Sequence, residues 1–198
     1  EKFFPKFFGF FDNEDGHYMI MENLMIGKKK CCTLDVKMGQ RTYGPDASEK
    51  KIEHQKANDE KTTTAKLGSR LTGYSMYDAN SDETTKVGKD LTFKIATREE
   101  MVTHYQSYFN NGNGVRKEVI QAIIPWLKEL LQWFEEKPTC RFYSSSLLFT
   151  YDGADEKPNI SGRMIDFAHV FPIEDGGKDD GYIMGLKVLI EIFEELSA

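Results

Sequence analysis

Between Lys117 and Glu136 the apolar residues Ile120, Ile123, Leu127, Leu130, Leu131 and Phe134 recur at spacings of three and four, which lines one side of a helix. A helix with a single apolar stripe has to be covered, so the chain is committed to a layered fold around one core. Pro125 inside this segment predicts a kink. Ile183, Leu186, Leu189, Ile190 and Phe193 predict a second, closing helix over Tyr182 to Leu196. Other segments carry the strand period: Tyr18 to Glu22 and Cys31 to Met38, joined by a polar connection over Asn23 to Lys30. Arg70 to Tyr77 and Leu91 to Ala96 read as a hairpin around the turn Asp78 to Asp82 and a break at Gly88. Arg141 to Tyr151 and Arg163 to Phe167 read as paired strands around the loop Asp152 to Gly162. Thr97 and Glu100 have capping-box spacing and start a helix that ends near Asn110 to Gly112. The expected class is α+β.

With 198 residues, of which 39% are hydrophobic and 13% aromatic, the chain suits one compact unit or two small lobes sharing a cleft. No apolar run approaches the ~20 residues needed to span a bilayer. The start, Glu1 to Pro5, lacks the layout of a signal peptide, so a cytoplasmic or nuclear protein without membrane insertion is expected. Cys31, Cys32 and Cys140 form no Cys-x-x-Cys pair, which argues for buried reduced thiols over a disulfide framework or zinc site. The net charge of −6 argues against nucleic acid as a partner. Its distribution is uneven: between Lys28 and Arg70 eleven Lys or Arg face six Asp or Glu, a basic island suited to a small polyanion or simply a solvated surface.

Within that island Asp46 and Glu49 predict a helix start, followed by a helix over Ser48 to Lys61. From Asp46 to Lys61 the only apolar residues are Ala47, Ile52 and Ala57, so no broad core stripe can hold it. At 100° per residue Lys50, His54 and Lys61 share one face.

Two apolar segments contain charged residues. In Thr33 to Gly39, Asp35 and Lys37 alternate with apolar neighbours and so share a strand face. An ion pair at a sheet edge is the plain reading. In Met164 to His169, Asp166 ends an apolar strand, where either a metal ion or a turn-capping role accounts for the carboxylate. A carboxylate for Mg²⁺, a lysine near the transferring group and cations for acceptor phosphates make up the parts of a phosphoryl-transfer site.

These segments resemble the inositol polyphosphate kinase family. Leu34-Asp35-Val36-Lys37-Met38-Gly39 matches the second half of the family's Pro-x-x-x-Asp-x-Lys-x-Gly signature, with Cys31 in place of Pro. Tyr43 to Ser48, Ser144 to Leu148, Met164 to His169 and Asp180 to Tyr182 with Gly185-Leu186 follow in family order. Arg141 to Leu148 and Thr62 to Gly68 look most like the inositol hexakisphosphate kinases, whereas Gln132 to Glu135 and Phe167 to Pro172 also resemble the multikinases.

The resemblance implies a two-lobed, protein-kinase-like fold with antiparallel sheets and ATP and Mg²⁺ between the lobes. Residues 1–27 would be the remainder of the smaller lobe and the hinge, and 28–198 the larger lobe with an inositol phosphate-binding helix near 46–66. By the same resemblance the backbone at Glu22 and Leu24 would hold adenine and Asp35 the ribose side. Lys37 would reach the acceptor and the transferring phosphate, and Asp166, beside Ser146, would hold Mg²⁺. Lys51, with Lys50, His54 and His169, would contact the acceptor. Family members carry further strands with a phosphate-binding lysine before the hinge. No residue from Glu1 to Asp15 matches it, so the expectation is a monomeric piece of a longer kinase. The rival from another class is a non-catalytic inositol phosphate or phosphoinositide binding module, which would need the lysines but not Glu22, Asp35 or Asp166. A protein kinase is disfavoured because there is no His-Arg-Asp motif and no Gly-rich loop.

Overall fold

The computed structural model describes residues 2–137 and 139–198; Glu1, the first residue of the amino-terminal stretch read above, lies outside them. At its centre is β3 (Cys31–Met38), in which Cys32, Leu34, Val36 and Met38 are buried while Thr33, Asp35 and Lys37 line the other face. It pairs antiparallel with β4 (Ser69–Asp78) on one side and β7 (Ser146–Asp152) on the other. With β5 (Glu83–Val87) and β8 (Ser161–Ile165) they form a five-stranded sheet in the order β5-β4-β3-β7-β8. Asp35 and Lys37 share a face as the alternation predicts, but on the central strand and not at an edge.

The apolar face of the sheet is covered by α4 (Arg98–Tyr108), α5 (Lys117–Glu136) and α6 (Asp180–Ser197). Aromatic contacts join the layers: Phe193 of α6 meets Tyr105 of α4 at 5.3 Å and Phe149 of β7 at 6.0 Å, and Phe134 of α5 stacks on Tyr182 at 4.2 Å. Ile120, Ile123, Leu127, Leu130 and Phe134 are buried, whereas Leu131 is half-buried at the margin. The helix α5 runs through Pro125 without ending. The Thr97–Glu100 capping box forms as expected.

Several boundaries differ from the sequence expectation. A strand β1 (Phe7–Asn13), not anticipated, pairs with β2 (Gly16–Met21) in a separate hairpin with both faces exposed. The helix α1 (Glu49–Lys61) is capped by Ser48, whose Oγ accepts from the Lys51 amide at 3.4 Å, and not by Asp46. A short α2 (Thr64–Leu67) follows it. The partner of β4 is β5; Leu91 instead lies in α3 (Lys89–Thr92), because β-branched Thr84, Thr85 and Val87 fill the ladder before Gly88 breaks it. The segment from Arg141 to Tyr151 is not one strand. Ser144, at φ 60°, divides β6 (Cys140–Tyr143) from β7, and β6 pairs with β9 (His169–Pro172) in a second small sheet. Likewise β8 ends at Ile165, because Asp166 adopts φ 64°. Of the three cysteines all are free, but only Cys32 is buried. Among the described residues no helix is long and apolar enough to cross a membrane.

The helix α6 crosses the end of α2 at two glycines. Gly68 sits at φ 68°, and a Cβ on Gly185 would overlap the Gly68 carbonyl oxygen. Neither backbone can retreat without moving a packed helix, so Gly185→Ala should destabilise the fold by about 2–3 kcal/mol in urea unfolding. Gly88→Ala, with nothing within 4 Å of the added carbon, should change it by less than about 0.5 kcal/mol.

Candidate active site

The polar face of the central sheet gathers the charged residues. Lys37 lies opposite Arg70 of β4 and Ser146 of β7, and Ser146 in turn lies opposite Ile165, the residue before Asp166. The β3–β4 register shifts between Asp35 and Val36, a bulge that leaves Thr72 as an extra residue beside Asp35. The left-handed backbone at Ser144 turns the chain into β7 and that at Asp166 turns it out of β8, both on the Ser146 side of the row. The Ser144 carbonyl accepts a hydrogen bond from Lys37 Nζ at 2.6 Å, and its hydroxyl donates to the Thr42 carbonyl at 3.0 Å.

Burial pushes the Asp35 carboxyl above its usual range, opposed by the neighbouring Ser146 hydroxyl and the Lys37 ammonium. Those neighbours do not close well-formed hydrogen bonds: Asp35 Oδ1, Ser146 Oγ and Thr72 Oγ1 are all buried without a partner. Burial also pushes Lys37 down, helped by the charges of Arg70 and Lys89 and opposed by Asp35 and Asp166. The Arg70 guanidinium stacks on Phe93 at 4.5 Å and keeps Nη1 buried and unpaired. Three cations thus converge on a face with two carboxylates. Such a site holds uncompensated polar groups that a polyanion and a hard cation would satisfy. Among the described residues no three His, Cys, Asp or Glu side chains gather into a metal cage. Asp166, with Asp35 and Ser146 nearby, offers the partial oxygen set that suits a Mg²⁺ completed by phosphate and water.

Polar contacts hold α1 in place of an apolar stripe. Buried Asp59 accepts hydrogen bonds from the Thr42 amide and hydroxyl, both at 2.9 Å, while Gln55 Nε2 donates to the Thr42 carbonyl at 3.1 Å. Burial pushes the Asp59 carboxyl up, and the two Thr42 bonds oppose it. Lys51 Nζ lies 3.4 Å from His169 Nε2, and His169 Nδ1 lies 3.4 Å from the Asp46 carboxylate. Lys50 is exposed, and His54 Nε2 pairs within the helix with Asn58 at 3.1 Å. Lys51 and His169 are therefore brought together, while Lys50 and His54 remain on the outer surface.

The connection from β2 to β3 crosses the same sheet face. Beside it is a cavity of about 660 Å³ lined by Met25, Cys31, Thr33, Asp35, Gly73 and Lys86, among others. The Glu22 amide is bonded to the Lys6 carbonyl at 2.8 Å, and the Leu24 carbonyl accepts from Thr150 Oγ1 at 3.1 Å. The Glu22 carbonyl and the Leu24 amide have no hydrogen-bond partner among the described residues. The Glu22 carboxylate accepts from the Lys6 amide at 3.1 Å and faces Arg163 at 3.7 Å.

Sequence reasoning did not single out Arg70, Lys89 or Thr72. Arg70 was visible as a cation at the start of a strand, but its pairing opposite Lys37 depends on register. Thr72 reaches Asp35 only through the bulge.

The inositol polyphosphate kinase family model matches residues 18–194. Human inositol hexakisphosphate kinase 2 is 33% identical over 220 residues, covering 91% of this chain and 51% of that protein. Human inositol hexakisphosphate kinase 3 is 30% identical, covering 93% and 52% respectively. The chain thus spans about half the length of the curated relatives it matches. A solved inositol phosphate multikinase superposes with a TM-score of 0.86 at 28% identity, covering 98% of this chain and 89% of the other. The multikinase of S. cerevisiae in complex with ADP and Mn²⁺ superposes with a TM-score of 0.85 at 26% identity and the same coverage.

Asp59→Ala strips the partners from two buried Thr42 donors. It should cost about 2 kcal/mol in urea unfolding, with Asp59→Asn milder because its amide retains an acceptor oxygen and a donor.

Proposed function

We propose that this chain, which belongs to the inositol polyphosphate kinase family, transfers the γ-phosphate of ATP to an inositol polyphosphate, with inositol hexakisphosphate the foremost acceptor. The observation that carries this reading is the convergence of Lys37, Arg70 and Lys89 on one sheet face with Asp35 and Asp166. A binding module for anions has no use for two carboxylates among its cations. A phosphoryl-transfer site needs both, for the metal and nucleotide on one side and the acceptor on the other.

In this reading the unpaired Glu22 carbonyl and Leu24 amide present an acceptor and a donor to the adenine edge, complementary to its amino group and ring nitrogen. Asp35 would take the ribose side. Asp166, with Ser146, would hold Mg²⁺, which when bound supplies charge neutralisation on the β- and γ-phosphates. Lys37 would sit between acceptor and transferring group, and Arg70, Lys89, Lys51 and His169 would bind acceptor phosphates. The transition state is loose and its charge lies on phosphoryl oxygens, so positioned cations matter more than a strong base. The likeness to the hexakisphosphate kinases favours the fully phosphorylated ring. A second reading, a multikinase acting on less phosphorylated inositols, is favoured by the superposition on multikinase structures.

The test is phosphate transfer from ATP with Mg²⁺ to inositol hexakisphosphate or to inositol trisphosphates, with products resolved chromatographically. A pyrophosphorylated product is expected; turnover of trisphosphates alone would favour the second reading, and tight binding without turnover a binding module. Asp166→Ala and Lys37→Ala should each lower the rate on the order of 10²-fold or more, and near-normal turnover of Asp166→Ala would remove the metal assignment. The pH profile of acceptor KM is a separate check. Because burial and Arg70 depress the Lys37 ammonium, its charge is present at low pH and lost as pH rises, earlier than for an ordinary lysine. Acceptor KM should therefore climb on the alkaline side, and Lys37→Arg should move that rise to higher pH.

A further inference from the structure

We infer that Thr150 is a positioning residue for the nucleotide, fixing the connecting segment 22–30 against the sheet face that carries Asp35 and Lys37. The inference rests on the nucleotide reading of that segment given above. Thr150 lies on β7 opposite Thr33, with only 1% of its surface exposed. Its Oγ1 is 3.1 Å from the Leu24 carbonyl and 3.0 Å from Ser161 Oγ, so one hydroxyl ties the connection to two adjacent strands.

Two residues further on, Asp152 acts on the same connection. Its carboxylate accepts from the Lys29 amide at 2.7 Å and the Lys30 amide at 3.1 Å, with the Ala154 amide also at 3.1 Å. Burial alone would raise this carboxyl, but the three amides outweigh it and hold it below the usual range. Asp152 fixes the end of the segment that feeds β3, and Thr150 fixes its middle. The remaining ties lie at the two ends of the segment, where Glu22 meets Lys6 and Arg163 and Lys30 meets Gly153 and Asp82, or are local, such as the Met25 amide to Asn23 Oδ1 at 3.0 Å.

The consequence is a fixed spacing. A base held by the Leu24 amide has to place its sugar at Asp35, and both ends of that span are set from β7 and β3. Without the Thr150 hydroxyl the Leu24 carbonyl keeps only the Lys28 ammonium at 3.3 Å, a long side chain that tethers loosely. An ordinary strand position in this interior would carry an apolar β-branched residue of the same shape. A hydroxyl at this buried place is used for its hydrogen bonds.

The test compares wild type, Thr150→Val, Thr150→Ser and Ser161→Ala by calorimetric titration with ADP and Mg²⁺, alongside KM for ATP and for inositol hexakisphosphate. Thr150→Val keeps the shape and removes the donor, and should raise the ADP Kd about tenfold, with a matching rise in KM for ATP and none in KM for the acceptor. Thr150→Ser should return the Kd to within about twofold of wild type, and Ser161→Ala, which leaves the bond to Leu24, should do the same. Unchanged ADP binding in Thr150→Val, or equal weakening for both substrates, would overturn the inference while leaving the nucleotide site standing. Absence of ADP binding in wild type would overturn the nucleotide reading itself.

Discussion

Strand β3 is paired on both edges and has to bury one face against a helical layer, and that demand organises the molecule. Leu34, Val36 and Met38 satisfy it. The period of two then leaves Asp35 and Lys37 together on the opposite face, where neighbouring strands supply Arg70, Ser146 and Leu148. A charged pair could not sit on a central strand unless the face it occupies were reserved for something polar. The core and the candidate site are two sides of one strand.

Like charges repel, and burial together with the charges of Arg70 and Lys89 depresses the Lys37 ammonium, while burial depresses Arg70. The Ser144 carbonyl, Asp35 and Asp166 offset part of that cost, and Asp59 another part for Arg70. The remainder is left as unpaired groups: Arg70 Nη1, Asp35 Oδ1, Ser146 Oγ. A fold that keeps such groups buried has traded stability for a surface ready for a polyanion. The same logic explains α1, which is pinned by Asp59 and Thr42 inside and so keeps its outer face free for lysines.

The sites where local sequence rules failed lie around this face. Ser144 and Asp166 break strands that the apolar pattern would have continued, because each adopts a left-handed backbone that turns the chain at the edge of the site. Asp46 reads as a helix cap, but Ser48 takes that role and leaves the Asp46 carboxylate beside His169. The exchange of β5 for the expected strand at Leu91 came from a different cause: polar β-branched residues pair well at a sheet edge, where a hydrophobic pattern has nothing to signal.

What the sequence by itself determined is whatever depends on near neighbours along the chain. That includes the stripes of α5 and α6, the capping box of α4, the two faces of β3, and the motif order by which Lys37, Asp35 and Asp166 were singled out. The tertiary structure alone decided which strands lie beside β3 and in what register, and so that Arg70 faces Lys37, that a bulge brings Thr72 to Asp35, and that Thr150 and Asp152 hold the connection across it. Those contacts join residues from 33 to 126 positions apart, and their geometry is fixed by hydrogen-bond register and packing between segments, which no local periodicity encodes.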